Sequence, residues 1–560
     1  MTDFAPRPIQ HVARELGLGD DDIEIFGRGK AKIDLGVLSR KAGKSAKGRL
    51  ILVTAINPTP AGEGKTTTSI GLAMGMRRLG KNAVLALREP SQGPVFGVKG
   101  GGTGGGKASL VPADDINLHF TGDIHAITTA HNLLSALVDN SLYFRDDNGG
   151  VGELDSRQVS WGRAMDMNDR FLRNCVLGLG GKAHGVPRED RFDITAASEV
   201  MAILALARDY EDLEKRLARV VVGATHQGKA ITAGDVGAAS AMTAILRDAL
   251  KPNLVQTAEG GPAIVHCGPF GNIAHGCNSV LATRLAVQLG DYAITEAGFG
   301  FDLGGEKFLD IKCRETGIWP RMLVIVATLR ALKMHGGAPV KDAGNPDAAR
   351  LRAGLSHLEK HLENAQTYGL APVVAINVFP NDEASELKMV EEAAAKFGAK
   401  VALSAGFAKG GEGTQDLARV VMEVADATDA APPKPRYVYD LTDSPHEKIR
   451  KVARAIYGAR DAVLTANAEK DLKRIASLGY EGLPICMAKT QLSLTDDPAI
   501  FGRPRDFVIT VREIRLSAGA GFLVPLTGDM MTMPGLPKVP AARGVKLLPD
   551  GKIKGLMQND

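Results

Sequence analysis

The chain has 560 residues, enough for roughly three to four domains of about 150 residues each. Its 68 Lys and Arg nearly balance its 64 Asp and Glu, and a net charge of +4 argues against nucleic acid or an anionic membrane as the main partner. None of the five cysteines belongs to a Cys-x-x-Cys pair, which excludes a zinc knuckle of that type and argues against a disulfide framework.

The amino terminus carries an early acid and two prolines but no apolar block, which is not the pattern of a signal peptide. We therefore expect a cytoplasmic protein. The stretch 260–283 lacks charged residues and is long enough to span a bilayer, but it contains five Gly and two Pro. This composition predicts a glycine-rich loop system and no membrane helix.

Short apolar runs of β-forming residues alternate with helical patterns along the chain. Such runs predict an α/β fold, in which a P-loop NTPase-like parallel sheet carries helices on both faces and further α/β domains are attached. A crossover helix is predicted from Glu383 to Phe397, with Gly398 as its C-cap. The predicted strands are Leu50–Ile56, Ala83–Leu87, Val220–Val222, Tyr292–Thr295, Met322–Ala327, Pro372–Ile376 and Val401–Leu403.

The first of these strands leads into a glycine-rich loop and then into a helix that ends near Gly80. This order is typical of a P-loop, in which backbone N–H groups and a Lys hold phosphate and a Thr hydroxyl takes Mg²⁺. The alternative is a glycine turn before an ordinary helix. The motif is a variant because a Thr stands where its first glycine is usual. The predicted ATP-binding residues are Thr59, Pro60, Ala61, Gly62, Glu63, Gly64, Lys65 and Thr66, and Thr66 is the predicted metal ligand.

Arg88 follows the next strand. A guanidinium beside a P-loop suits the charge that develops on a transferred phosphoryl group, but an ion pair with Glu89 or another surface acid is an equal alternative. The run 100–106 carries six glycines around Thr103. It is either a backbone nest for anions or a mobile loop, and composition slightly favours the mobile loop.

Three histidines, His119, His125 and His131, follow one another at intervals of six residues. On a helix this spacing places neighbours on opposite sides, so the three cannot share one metal ion. Asp123 and His125 are candidates for facing a pocket. The cluster HCGPFGNIAHGC fits no standard zinc spacing, and we expect its His and Cys residues to be buried polar loop residues.

Three acidic residues follow the strand that ends at Thr295. Acids at the carboxyl ends of strands beside a P-loop often bind the metal ion or its waters. Glu296, Asp302 and Glu306 are therefore candidate metal ligands, although each can equally cap a turn or a helix. Gly304 has no side chain and leaves room for phosphate to approach the backbone.

Two phenylalanines stand at the ends of later strands, Phe379 after VVAINV and Phe407 after VALS. The chain has only two Trp and eight Tyr, so aromatic residues at two strand ends suit a sandwich around a flat ring. From the residues alone, packing of the two rings in the core is the favoured interpretation.

Eight segments of the chain form a recognisable set: TPAGEGKTTT, REPSQGPVFGVKGG, DINLHFTGDIHAI, HCGPFGNIAHGCNS, TEAGFGFDLGGEKF, VATLRALKMHGG, PICMAKTQ and LTGDMMTMPGLPKVPAA. Together they resemble the formate–tetrahydrofolate ligase family, and they occur in family order from near residue 50 to near residue 540. The resemblance implies ATP-dependent ligation of formate to tetrahydrofolate. The products would be 10-formyltetrahydrofolate, ADP and phosphate, and the intermediate formyl phosphate.

The resemblance also implies roles for single residues. Lys65 and its loop would hold the transferred phosphate, with Lys65 and Arg88 as catalytic residues. Arg88 and Gly304 would contact formyl phosphate. Phe379 and Phe407 would stack on the pterin, and Phe407 departs from the family because a Trp is common at that position.

Further expectations from the resemblance are Mg²⁺, activation by a monovalent cation such as K⁺ or NH₄⁺, and a homotetramer that acts on small molecules. We expect a discontinuous nucleotide-binding domain (1–110 and 260–365), an inserted α/β domain (111–259) and a folate-binding C-terminal α/β domain (366–560). The rival hypothesis is a P-loop ATPase switch of the partitioning or metallochaperone kind, which has no need of the two phenylalanine segments. A family member that has lost activity would lack Lys65 or Arg88, and both are present.

Overall fold

The computed structural model describes residues 6–41, 48–60, 62–97, 101–145 and 153–556. These residues form a mixed α/β structure around one large sheet of twelve described strands. Smaller two-stranded sheets lie outside it.

The strands are short, and most strands of the large sheet are apolar and buried on both faces. Their bounds are β1 Ile23–Ile25, β2 Ala31–Ile33, β3 Arg49–Ala55, β4 Ala83–Leu87, β5 Gly104–Gly105, β6 Ala108–Val111, β7 Arg163–Met165, β8 Cys175–Leu177, β9 Arg188–Asp190, β10 Phe192–Ile194, β11 Val221–Ala224, β12 Ala230–Thr232, β13 Asn253–Thr257, β14 Pro262–Val265, β15 Tyr292–Glu296, β16 Met322–Ala327, β17 Pro372–Asn377, β18 Lys400–Ser404, β19 Asp461–Leu464, β20 Val508–Val511, β21 Glu513–Ser517, β22 Phe522–Leu526, β23 Lys546–Leu547 and β24 Ile553–Lys554.

The helices include several crossovers between neighbouring strands, and two π-helical turns, Phe301–Gly305 and Phe308–Lys312, follow β15. The α-helices are α1 Ile9–Glu15, α2 Gly36–Lys41, α3 Lys65–Arg78, α4 Gln92–Phe96, α5 Ala113–Asn117, α6 Asp123–Phe144, α7 Glu199–Leu206, α8 Tyr210–Ala218, α9 Ala239–Ile245, α10 Val280–Leu289, α11 Cys313–Thr316, α12 Leu329–His335, α13 Ala348–Thr367, α14 Ala384–Ala395, α15 Gly406–Lys409, α16 Gln415–Asp426, α17 Pro445–Val452 and α18 Ala466–Ser477.

The large sheet has the strand order β1-β2-β13-β14-β4-β15-β3-β16-β17-β18, and β6 joins β5 to β13. The strands from β14 to β18 in this order are all parallel. Side chains of β3 alternate between two cores, since Leu50 and Leu52 pack on one face and Ile51 and Val53 on the other. Because the strands from β14 to β18 are parallel, their carboxyl ends share one edge of the sheet.

The predicted parallel strands are confirmed with one exception. Ala83–Leu87 and Met322–Ala327 match the structure, and most other bounds shift by one residue. The prediction that Val220–Val222 belongs to the large sheet is wrong, because β11 pairs antiparallel with β12 in a separate two-stranded sheet. A tight turn, in which the Thr225 N–H donates to the Lys229 carbonyl, reverses the chain and makes this local pairing possible.

The predicted crossover helix is confirmed as α14, which links the parallel strands β17 and β18. The helix is slightly shorter than predicted, with Glu383 as its N-cap residue. Gly398 follows it in the left-handed region at φ +68°, as a helix-ending glycine does.

The stretch 260–283 is only partly the loop system that its glycines predict. It contains the buried strand β14 and the start of α10, with loop between them. Because β14 is only four residues long and is flanked by glycines, its sequence is too short to reveal the alternation that is typical of a strand. None of the described helices has the length and apolar character needed to cross a membrane.

Candidate active site

The predicted phosphate loop joins β3 to α3 and is closed by its own side chains. The backbone N–H and the hydroxyl of Thr59 both donate to Glu63 Oε1, at 2.7 Å and 3.1 Å. Gly62 and Gly64 have φ of +73° and +71°, a conformation that glycine adopts without strain. A Cβ at Gly64 would lie 2.4 Å from the Asn377 amide nitrogen, so the end of β17 leaves room for glycine alone.

Pro60 is exposed, and Ala61 lies outside the described residues. The side chain of Thr68, one turn into α3, donates to Asn377 Oδ1 at 2.8 Å. Asn377 Nδ2 also donates to the Glu63 carbonyl, so the end of β17, two strands from β3 in the sheet, is hydrogen-bonded to both the loop backbone and α3.

Lys65 and Thr66 open α3 and reach the segment that follows β15. Lys65 Nζ donates to the Phe299 carbonyl at 2.9 Å. The Thr66 hydroxyl donates to the Glu296 carboxylate, with its two oxygens at 3.0 Å and 3.3 Å. A hydroxyl beside a buried carboxylate at a strand end is a donor set that fits Mg²⁺.

Arg88 extends from the end of β4 towards the same segment. Its Nη1 donates to the Pro269 carbonyl at 3.4 Å, and its buried Nε has no hydrogen-bond partner among the described residues. The alternative ion pair with Glu89 is not formed, since Glu89 Oε2 is also buried without a partner. Burial raises the pKa of Glu89 well above its usual value, and nearby Asp123 adds to this effect. The guanidinium of Arg88 therefore keeps hydrogen-bonding capacity.

Gly304 lies in the π-helical turn and packs on the segment that carries these contacts. A Cβ at Gly304 would lie 1.8 Å from the Gly298 carbonyl oxygen. A Cβ at Gly298 would in turn lie 3.1 Å from Arg88 Nη1. Two glycines therefore allow the backbone after β15 to approach the guanidinium. We call the loop residues 59–66, Arg88, Glu296 and Gly304 the phosphate half of the site.

Phe379 and Phe407 follow β17 and β18, the last two strands of the sheet. Phe407 is 54% exposed, so the core-packing interpretation is wrong for this residue. Phe379 is half-buried, and the Arg330 guanidinium lies 3.9 Å from its ring centroid. The Arg330 guanidinium thus lies against the Phe379 ring as a cation–π contact. We call Phe379, Phe407 and Arg330 the aromatic half.

Of the three candidate acids, Glu296 contacts the phosphate loop through the Thr66 hydroxyl. Asp302 forms a fully buried ion pair with Lys489 at 3.2 Å. Glu306 is also fully buried, and burial followed by the charge of Asp310 raises its pKa well above the usual value. Asp302 and Glu306 therefore belong to the core beneath the site.

Asp123 does not face a pocket. It forms a buried ion pair with Lys32 at 2.7 Å and accepts a hydrogen bond from Asn253 at 2.7 Å. His131 is buried and stacks on Trp161, with ring centroids 4.2 Å apart. His119 and His125 are exposed.

The described part of the chain contains no group of three or more His, Cys, Asp or Glu residues suited to a metal ion. The expectation for HCGPFGNIAHGC is confirmed, because its His and Cys residues are buried, and His266 is hydrogen-bonded to Ser279 at 2.7 Å. The slight preference for a mobile glycine loop is wrong for Gly104–Gly105, which pair with β6 as β5. Gly100 lies outside the described residues.

Sequence reasoning missed three residues that shape the site: Asn57, Asn377 and Arg330. Each is a polar residue at or just after the carboxyl end of an apolar strand, namely β3, β17 and β16. That position was the available signal, because such residues face the edge where ligands of parallel sheets bind.

A parallel sheet whose strand ends bring together a glycine loop, two cationic side chains and a hydroxyl–carboxylate pair is typical of an α/β enzyme. The family model for formate–tetrahydrofolate ligase matches residues 2–557. The chain is 59% identical over 554 residues to the formate–tetrahydrofolate ligase of Myxococcus xanthus, covering 99% of this chain and 100% of that protein. The chain belongs to the formate–tetrahydrofolate ligase family and is a ligase. This result contradicts the switch hypothesis.

Proposed function

We propose that this ligase joins formate to tetrahydrofolate at the expense of ATP and that formyl phosphate is the intermediate. The observation that carries the proposal is the meeting of Lys65, Thr66, Arg88 and Glu296 at three adjacent strand ends, β3, β15 and β4. Lys65 Nζ donates to the Phe299 carbonyl and Arg88 Nη1 lies close to Gly298, so both cations lie against the segment that follows Glu296. Such an arrangement suits the transfer of a phosphoryl group.

In the first step an oxygen of formate attacks the γ-phosphorus of ATP. A new P–O bond forms, the bond between the γ-phosphorus and the bridging oxygen breaks, and ADP leaves with the electron pair. Negative charge spreads over the transferred oxygens and the leaving oxygen. Lys65 and Arg88, together with the N–H groups at the start of α3, stabilise this charge.

Thr66 and Glu296 would hold Mg²⁺ beside the phosphates. The metal ion, when bound, neutralises phosphate charge. Thr66 presents its hydroxyl from the first turn of α3, and Glu296 presents its carboxylate from the end of β15. Both side chains start from packed elements, so the pair is positioned before substrate binds.

In the second step the tetrahydrofolate amine attacks the formyl carbon. A C–N bond forms, the C–O bond to phosphate breaks, phosphate leaves with the electron pair, and the amine loses its proton to solvent. Arg88 and the backbone at Gly304 stabilise the leaving phosphate. Phe379 and Phe407 provide apolar ring faces for the pterin, and the smaller ring at position 407 gives less contact area than a Trp.

Family membership also supports several finer assignments, which remain part of the proposal. They are the P-loop NTPase-like character of the sheet, activation by a monovalent cation, a homotetramer and a cytoplasmic location. The domain division proposed is the nucleotide-binding unit 1–110 and 260–365, the insertion 111–259 and the folate-binding unit 366–560.

The test is ADP release from the purified protein with ATP and Mg²⁺, with formate and tetrahydrofolate added separately and then together. The folate product is followed by the absorbance of methenyltetrahydrofolate after acid treatment. Product that requires all three substrates supports the proposal. ADP release at the same rate without formate and folate would refute it.

A further inference from the structure

Asn57 connects the end of β3 to the phosphate loop and is fully buried. All of its polar atoms are hydrogen-bonded. The amide nitrogen Nδ2 donates to Asp302 Oδ2 at 3.3 Å and to the Gln491 carbonyl at 3.1 Å. The other three contacts are all made with histidines. Each polar atom of the asparagine, in its backbone and in its side chain, thus has at least one hydrogen-bond partner.

Three histidines from α12 and α13 surround Asn57. His335 Nε2 lies 3.0 Å from the Asn57 carbonyl, and His361 Nε2 lies 3.1 Å from Asn57 Oδ1. The Asn57 N–H donates to His357 Nε2 at 3.4 Å. The rings of His335 and His357 are stacked, with centroids 3.7 Å apart. We call these three residues the histidine clamp.

The partners of the clamp fix one proton on each ring. Gly502 N–H donates to His335 Nδ1, so the proton of His335 is on Nε2 and points at Asn57. His357 Nδ1 must donate to the Gly502 carbonyl at 2.8 Å, so its Nε2 accepts. His361 must donate through Nε2, because Asn57 Oδ1 and His357 Nε2 are both acceptors.

A second proton on His335 would be on Nδ1 and would face the Gly502 N–H. A second proton on His357 would be on Nε2 and would face the Asn57 N–H. Only His361 Nδ1, buried without a partner, has no opposing donor. Burial accordingly lowers the pKa of all three rings, that of His335 to about 4. The charged groups that act on the clamp are Asp302, Lys360, Lys489 and Arg503, of which three are cations and oppose protonation.

We infer that His335, His357 and His361 are positioning residues for phosphoryl transfer, which hold Asn57 and thereby the first residues of the phosphate loop in place. The clamp also joins the loop to the C-terminal segment, since Gly502 and Gln491 bind the same cluster. Asn57 lies two residues before Thr59. A change in its orientation is therefore transmitted directly to the backbone that receives the phosphates.

The test compares two variants of His361, the clamp residue whose Nδ1 lacks a described partner. His361→Gln keeps a donor near the position of Nε2, whereas His361→Leu removes it and leaves Asn57 Oδ1 unsatisfied. We expect His361→Leu to lower kcat/KM for ATP about tenfold and to leave the folate KM unchanged. His361→Gln should stay close to the wild type. If the Leu variant does not fold, His361→Asn replaces it, because its amide is too short to reach Asn57.

The pH dependence of stability gives a second readout. Between about pH 4 and 6.5 the unfolded chain binds protons that the native clamp excludes, so stability falls as the pH falls through this range. His361→Gln removes one of these groups. Its melting temperature should therefore drop less than that of the wild type between about pH 7.5 and 5.5.

Three results would overturn the inference: unchanged ATP binding in the Leu or Asn variant, an equal loss in the Gln variant, or equal effects on ATP and folate. The inference rests on the proposed function, so ATP binding is also measured by calorimetry on the full chain. If the wild type shows no formate-dependent ADP release, the proposed function fails. The calorimetric comparison still decides the role of the clamp.

Discussion

The two halves of the site lie along one edge of the same sheet but are built differently. In the phosphate half, the Thr59 N–H donates to Glu63 within the loop, and the Thr68 hydroxyl at the start of α3 donates to Asn377. The buried Asn57 precedes the loop in the chain. In the aromatic half, Phe407 is 54% exposed and Phe379 contacts a single cation, Arg330. The first half is held by hydrogen bonds between polar groups, whereas the second consists of two aromatic rings and one guanidinium.

The proposed function explains the difference by two kinds of recognition, one of a phosphoryl group and one of a flat ring. Charge that develops on a phosphoryl group is stabilised only by dipoles and cations that are already in place. A flat ring is recognised by apolar area, which tolerates small shifts of the side chains. Substitutions in the phosphate half should therefore change turnover, whereas those in the aromatic half should change the folate KM.

The largest effect is expected for Lys65→Ala. In the proposed mechanism the Lys65 ammonium group stabilises the transferred phosphate, so its removal should lower kcat by about 10²–10³-fold. The measurement is formate-dependent ADP release. Lys81→Ala is a matched control, because Lys81 is exposed and precedes β4, at the opposite edge of the sheet. Turnover within about threefold of the wild type in the Lys65 variant would contradict the role.

Gly304→Ala should have the next largest effect. The added Cβ would lie 1.8 Å from the Gly298 carbonyl oxygen, so the segment that contacts Lys65 and Arg88 must move. A displacement of this kind should lower kcat about 10–100-fold with a folded protein. Gly482→Ala is the control, since a Cβ there meets no neighbouring atom. Equal activity of the two variants would show that the approach at Gly304 has no catalytic importance.

Phe407→Ala should raise the folate KM about three- to tenfold and change the ATP KM less. The physical reason is the loss of one ring face from the pterin site. Phe171→Ala serves as the control, because Phe171 is 87% exposed and lies on the 3₁₀ turn before β8, outside the large sheet. Equal shifts of both KM values in the Phe407 variant would argue against stacking.

The smallest effect is expected for Arg330→Met, which keeps a long side chain beside Phe379 but removes its charge. Loss of a cation–π contact should raise the folate KM about two- to fivefold. The measurement is steady-state kinetics with tetrahydrofolate varied at saturating ATP and formate. A change in the ATP KM with no change in the folate KM would assign Arg330 to the phosphate half instead.

Much of the phosphate half can be predicted from sequence, because its signals are local. The loop follows a continuous apolar strand and opens a helix, and Arg88 and Glu296 directly follow or end strands. The sequence does not show which acid meets Thr66. Glu296, Asp302 and Glu306 are close in the chain, and only the path of the π-helical turn after β15 turns the last two into the core.

The parts that escaped prediction depend on contacts between distant segments. Asn57 meets His361 across 304 positions and Gln491 across 434. Val220–Val222 has the composition of a core strand, but a local turn pairs it with β12. Composition and period describe an element by itself, and neither contains information about its partner.

The most direct test of the account uses formate labelled with ¹⁸O in both oxygens. If formate attacks the γ-phosphorus of ATP and the C–O bond of formyl phosphate later breaks, one formate oxygen must end in inorganic phosphate. We predict one ¹⁸O atom in each phosphate released. In Lys65→Ala, the rate at which labelled phosphate forms should decrease strongly. Phosphate that contains no oxygen from formate would contradict the proposed mechanism.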